Sequence, residues 1–267
     1  MLVEQKESMG ASSARRALFS PCIDARFAIY CAPNVNSAWW KFGSAWLGRD
    51  AISSDSTAHR NHGELDSQFI HRITATPRRY GFHATLKAPF QLSAGRVAQH
   101  VYLQAETLAA SLRPVRLPPP RLQVIDGFVA LGFDREDAAS RAASAAANAI
   151  AAQCVSCFDN LRARPDAVEI ARRQAAGLSA RQACLLAQWG YPFVFDEFRL
   201  HFTLTERLNP ADQERVIDAL SPAVAALGAE PFMLDALSIY LQPSPAEPFV
   251  AVRRYGFDGS LEIYGNG

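Results

Sequence analysis

Apolar and polar residues alternate in two short runs of the chain, Tyr80-Gly81-Phe82-His83-Ala84-Thr85-Leu86-Lys87 and Phe198-Arg199-Leu200-His201-Phe202-Thr203-Leu204-Thr205. A period of two predicts strands whose successive side chains face opposite ways. Other runs are uniformly apolar. Phe27-Ala28-Ile29-Tyr30-Cys31 reads as a strand stopped at Ala32-Pro33-Asn34, after which Asn36 or Ser37 can cap a helix. On that helix Trp39, Phe42 and Trp46 recur at i, i+3 and i+7, a spacing that predicts one buried face rather than a base-stacking platform. The polar stretch 49–76 reads as a long loop with one short helix, in the position of a lid before the first alternating strand.

Beyond residue 90 the pattern predicts a helix over 94–112, a stiff Leu117-Pro118-Pro119-Pro120 connector, and strands over 122–125 and 128–133 turned at Asp126-Gly127. Helices follow over 136–157, 166–176 and 179–189, the last capped by Ser179. After the second alternating strand, Asn209-Pro210 opens a helix to about 227 with Pro at its first position. Strands over 233–242 and 249–254 close the chain. In the first of these Ser238, Tyr240 and Gln242 form a polar face, and Tyr240 is expected to contact substrate. The pentapeptide Arg78-Arg79-Tyr80-Gly81-Phe82 returns as Arg253-Arg254-Tyr255-Gly256-Phe257, an echo best read as coincidence.

Composition narrows the function. The 267 residues are 49% hydrophobic and 20% charged, enough to bury a core without a metal or disulfide staple. Residues 1–24 lack any period and are expected to form a mobile tail ahead of one domain over 25–267. Lys+Arg 27 against Asp+Glu 26 leaves a net charge of +1, which offers no broad footprint for long nucleic acid and suits a small phosphate ester. No apolar run approaches the roughly 20 residues of a membrane helix. The opening Met1-Leu2-Val3-Glu4-Gln5-Lys6-Glu7 has no hydrophobic signal core, so a cytoplasmic location is expected. Five scattered cysteines argue against a disulfide framework, and Cys154-Val155-Ser156-Cys157 has no second pair to complete a zinc site.

The two alternating runs supply the chemistry. In each, the His shares a face with a Thr two residues on, about 7 Å away along the strand. Brought side by side, His83, Thr85, His201 and Thr203 would surround one small anion. Imidazole, with an ordinary pKa near 6.5, suits both the proton donor and the proton acceptor that phosphodiester cleavage needs. Lys87 continues the face of the first pair and Arg199 that of the second, and both are expected to meet phosphate charge. Arg207 lies further along. No cofactor and no protein partner are inferred.

Two competing classes follow from the same residues. A metal-dependent phosphoesterase would draw on His59, His62 and His71, which fall in the most loop-like part of the chain. A non-catalytic binder of phosphorylated metabolites or RNA ends could use the same pocket, although such a binder is better served by the permanent charge of Arg or Lys than by two titratable imidazoles.

The two His-x-Thr repeats, each followed by Leu, resemble those of the two-histidine phosphoesterase superfamily, which includes RNA 2′,5′-ligase-like proteins and 2′,3′-cyclic nucleotide phosphodiesterases. The segments Arg78-Arg79-Tyr80-Gly81-Phe82-His83-Ala84-Thr85-Leu86-Lys87-Ala88-Pro89-Phe90 and Phe42-Gly43-Ser44-Ala45-Trp46-Leu47-Gly48-Arg49-Asp50 are similar to a branch associated with phosphonate-degradation operons. The resemblance spans roughly residue 26 to the C-terminus. It implies a bilobal α+β fold, with two pseudo-symmetric lobes whose antiparallel sheets line a central cleft and whose helices lie outside. It further implies metal-independent opening of a cyclic phosphodiester, with His83 and His201 as acid and base and Thr85 and Thr203 binding phosphate.

Overall fold

The computed structural model describes residues 24–53, 55–59, 61–133, 137–164, 177–228 and 232–265. The tail expected over 1–24 and the helix expected over 166–176 lie essentially outside these residues. Among the described residues there are ten strands: β1 (Arg26–Cys31), β2 (Ala84–Gln91), β3 (Val115–Leu117), β4 (Arg121–Ile125), β5 (Phe128–Gly132), β6 (His201–Arg207), β7 (Phe232–Leu234), β8 (Ala236–Gln242), β9 (Val250–Gly256) and β10 (Leu261–Ile263). Seven α-helices accompany them among the described residues: α1 (Ala38–Leu47), α2 (Ser67–Ile73), α3 (Ala75–Tyr80), α4 (Ala98–Ser111), α5 (Ala138–Cys157), α6 (Ala180–Trp189) and α7 (Pro210–Leu227). The fold is α+β. Eight strands form one antiparallel sheet in the order β10-β9-β8-β1-β2-β6-β5-β4, and β3 pairs with β7 apart from it.

Local chemistry explains most element ends. Ser37 Oγ accepts from the Trp40 amide, Ser179 Oγ from that of Gln182, and Asn209 Oδ1 from that of Asp212, so each caps its helix. Asp126-Gly127, both at positive φ, makes the β4–β5 turn. The strand expected over 233–242 is broken at Asp235, whose carboxylate accepts from Arg254 Nη2 at 2.6 Å and whose carbonyl accepts from the Phe257 amide. The loop expected over 49–76 contains one short helix, α2, and the start of a second, α3, which runs on to Tyr80, so the strand expected from residue 80 begins only at Ala84. The loop is tied to the sheet by Arg49, 4% exposed, which donates to the Phe249 and Arg78 carbonyls, and by the bond from the Ala251 amide to the Ala51 carbonyl.

The pentapeptide echo takes two conformations. Its first copy ends α3 and the second runs along β9, so tertiary context overrides local sequence.

One face of the sheet packs against helices. α4 lies on β8 and β9, α5 on β2, and α7 on β4 and β5. Phe82, Ala84, Leu86, Phe202 and Leu204 enter this core, together with Trp39 and Trp46 from α1. The alternation that buries these residues turns His83, Thr85, His201 and Thr203 to the opposite face. There a second, smaller cluster of Ala28, Tyr30, Trp40, Ala51, Tyr240, Phe249 and Ala251 covers the β1–β8–β9 half of the sheet. Over the other half lie cavities, one of them walled in part by Tyr191, Phe193 and Val194. β2 and β6 meet through a single residue pair, Ala84 with Phe202, which makes the middle of the sheet a seam.

Candidate active site

That seam brings the two histidine motifs together. Continuing the antiparallel register one residue either way from Ala84–Phe202 sets His83 opposite Thr203 and Thr85 opposite His201. The four side chains, each partly buried, border two contiguous chambers of about 470 Å³ and 380 Å³. His83 lines the first and His201 the second, while Thr85, Thr203, Phe128, Tyr191 and Arg207 line both.

Both imidazoles are braced in the same way. His83 Nδ1 lies 2.9 Å from the Gly81 carbonyl and His201 Nδ1 lies 2.8 Å from the Arg199 carbonyl. A carbonyl can only accept, so each Nδ1 carries a proton and Nε2 is left as the atom that gains or loses one. Thr85 Oγ1 stands 3.3 Å from His83 Nε2. Each ring also has an aromatic neighbour. Tyr30 stacks on His83 with centroids 3.7 Å apart, and Phe128 lies 5.7 Å from His201. Burial pushes the His83 pKa down to about 4; the Gly81 carbonyl opposes this and the charge on His201 adds to it. At neutral pH His83 is therefore a proton acceptor.

The brace depends on Gly81, which has φ 80 and ψ 177 at the end of α3. A side chain there would put its Cβ 2.6 Å from the Cβ of Ala51. Neither Gly81 nor the buttress Tyr30 stands out in the sequence. The Gly directly after a basic helix end is the one signal that could have marked the former.

Two residues expected at the substrate lie elsewhere. Lys87 leaves the cleft face because β2 is irregular against β1: Ile29 pairs with Lys87 and Tyr30 with Thr85, so Leu86 is an extra residue and both Leu86 and Lys87 are buried. Lys87 Nζ donates to the Val155 carbonyl at 3.0 Å and lies 3.6 Å from Asp159, and burial lowers its pKa to about 8. Asp159→Ala should cost about 2–3 kcal/mol by stranding this cation, measured by urea unfolding. Tyr240 pairs with Ala28 on the cleft side of the sheet, but the smaller cluster roofs it over completely. Its hydroxyl is buried without a partner. Arg199, by contrast, is exposed at the edge of the His201 chamber.

The histidines of the metal-dependent alternative border neither chamber. His59 Nε2 lies 3.1 Å from the Trp46 carbonyl, and His71 Nδ1 accepts from Arg78 at 2.6 Å. Among the described residues no three His, Cys, Asp or Glu side chains are grouped to hold a metal ion. No described helix is long and apolar enough to cross a membrane.

The architecture is thus an antiparallel-sheet α+β protein with a braced histidine pair at the seam of its sheet. Residues 85–250, more than half of the chain, match the family described as protein of unknown function (DUF1045), and the chain belongs to that family. It is 36% identical over 241 residues to a protein of Janthinobacterium sp. (strain Marseille) named ribose 1,5-bisphosphate phosphokinase PhnN, a match covering 89% of this chain and 52% of the relative. A protein of the same name from Laribacter hongkongensis (strain HLHK9) is 34% identical over 229 residues, covering 84% of this chain and 50% of the relative. The chain spans about half the length of these curated relatives.

Proposed function

We propose that this protein opens a cyclic phosphodiester of a small sugar or nucleoside without a metal, with His83 as base and His201 as acid. The observation that carries the reading is the matched bracing of two imidazoles, each held through Nδ1 by the carbonyl two residues upstream, on adjoining strands of one cleft. Water attacks phosphorus and His83 Nε2 takes its proton. The bond from phosphorus to one sugar oxygen breaks, His201 Nε2 protonates that oxygen, and a phosphomonoester with a free hydroxyl remains. The hydroxyls of Thr85 and Thr203 donate to the non-bridging oxygens between the rings, and Arg199 adds charge at the rim. The same reading takes residues 25–267 as one two-lobed domain whose halves meet at the Ala84–Phe202 seam, as in the two-histidine phosphoesterases. A role in phosphonate breakdown goes with it.

The relatives' names support work on ribosyl phosphates. Phosphoryl transfer from a nucleotide is not proposed for this chain, because no glycine in it is followed by lysine and the phosphate-binding loop G-x-x-x-x-G-K-[ST] is lacking. Ribose 1,5-bisphosphate is also what remains when a 1,2-cyclic phosphate on ribose 5-phosphate is opened at O2, which connects the two activities through one compound.

The test is a panel of nucleoside 2′,3′-cyclic, ADP-ribose cyclic and ribosyl 1,2-cyclic phosphates followed by ³¹P NMR with EDTA present. Turnover of at least one is expected. No turnover of any, or turnover abolished by EDTA and restored by zinc or manganese, would overturn the reading. The depressed pKa of His83 adds a signature. The acidic limb of kcat/KM should reach half-maximum near pH 4 instead of the 6.5 of an ordinary imidazole. Stability should also fall as pH drops from about 6.5 to 4, since the unfolded chain takes up a proton that folded His83 refuses, and should level off below.

A further inference from the structure

Arg207 is the cation common to both chambers among the described residues. It is exposed, and its guanidinium has neither a hydrogen bond nor an ion pair among the described residues. Arg162, Arg181, Arg215 and Arg254 each have a carboxylate partner, whereas Arg207, like Arg199, has none among the described residues; of these two only Arg207 lines both chambers. The acids near Arg207 are otherwise engaged or set apart. Glu206 accepts from the Thr76 amide and hydroxyl at the start of α3, and Glu197 accepts from Gln182. Asp126 and Glu197 border only the His201 chamber, where Arg199 stands beside them, and Glu206 borders only the His83 chamber.

The cavity lining sets Arg207 beside the reacting centre. Phe128 pairs with Arg207 and Ala130 with Thr203, so three residues of β6, 204–206, are set against one of β5, Val129. Arg207 and Thr203 line both chambers together, so the guanidinium and the hydroxyl proposed to bind the reacting phosphate face one space. A pentose that carries two phosphate groups can present one to each.

Resting on the cyclic phosphodiesterase reading, we propose that Arg207 binds a second phosphate of the substrate. The preferred substrate is then a sugar cyclic phosphate that carries a further phosphomonoester, in preference to a cyclic nucleotide without one. A planar guanidinium without an acid partner, set among the aromatic walls of Phe128 and Tyr191, can meet a phosphate dianion with two parallel charge-assisted hydrogen bonds.

The experiment compares kcat/KM for ribose 5-phosphate 1,2-cyclic phosphate with that for ribose 1,2-cyclic phosphate, in wild type, Arg207→Ala and Arg207→Lys. Wild type should prefer the first by at least about tenfold, and Arg207→Ala should erase that preference chiefly through KM, with Arg207→Lys between. Calorimetric binding of ribose 5-phosphate should weaken by a similar factor in Arg207→Ala. A preference unchanged in Arg207→Ala, or an equal loss on both substrates, overturns the inference. The two readings fail separately. If no cyclic phosphate is opened yet ribose 5-phosphate binds through Arg207, the catalytic reading falls and the phosphate site stands; turnover with binding indifferent to Arg207 gives the reverse.

Discussion

His83→Ala and His201→Ala are each expected to lower kcat for cyclic phosphodiester opening by about 10²- to 10⁴-fold, the usual contribution of a positioned acid or base. Substrate affinity should fall much less, because Thr85, Thr203 and the rim arginines still meet the phosphate. The double variant should lose little more than the worse single one, since acid and base act in one transition state and their deletions are not additive. His83→Ala also removes a ring stacked on Tyr30, so circular dichroism and a melting curve are needed to separate lost chemistry from lost structure. A folded variant of either histidine that keeps near-wild-type kcat would remove the basis of the mechanism.

Gly81→Ala is the second large effect. Its φ and ψ lie in a region that only glycine adopts easily, where another residue costs about 1–3 kcal/mol. The new Cβ would also press on Ala51, which cannot retreat readily because its carbonyl is bonded to the Ala251 amide across the sheet rim. The Gly81 carbonyl must then move, and with it the acceptor that holds His83 Nδ1. A loss of about 2–4 kcal/mol by urea unfolding is expected, with kcat at least tenfold lower and the acidic limb of the pH profile shifted further down, because the Gly81 carbonyl is the contact that holds the His83 pKa up against burial. Gly95→Ala is the control. It too has positive φ, 77, but nothing lies within 4 Å of its Cβ, so it should show the backbone cost without the loss of kcat. If Gly81→Ala retained both kcat and the wild-type acidic limb, the brace would be irrelevant to proton transfer.

Much of the local structure was legible because it depends on neighbours in sequence. Ser37, Ser179 and Asn209 cap helices through bonds to amides three residues on, and Asp126-Gly127 turns its hairpin by backbone conformation alone. Period-two alternation likewise set His83 with Thr85, and His201 with Thr203, opposite the apolar residues of the core. It failed for Lys87, where pairing with β1 inserts an extra residue and turns the lysine off the cleft face. It misled in another way for Tyr240, which has the right face but lies under a second cluster built from distant segments. Identical pentapeptides at 78–82 and 253–257 became a helix end and a strand, because packing partners and not the five residues chose between them.

The order β10-β9-β8-β1-β2-β6-β5-β4 sets β1 beside β8 and β2 beside β6, pairings between segments far apart in the chain that no local pattern encodes. From the sequence alone came the residue types and faces of the two motifs, since side-chain direction along a strand is a matter of covalent geometry. Their meeting at Ala84–Phe202, the depressed pKa of His83, the burial of Lys87 and the placing of Arg207 on the cavities that Thr203 lines were decided by tertiary structure. Strand register and desolvation arise only when remote segments pack, and these two quantities control where charge is held in the cleft.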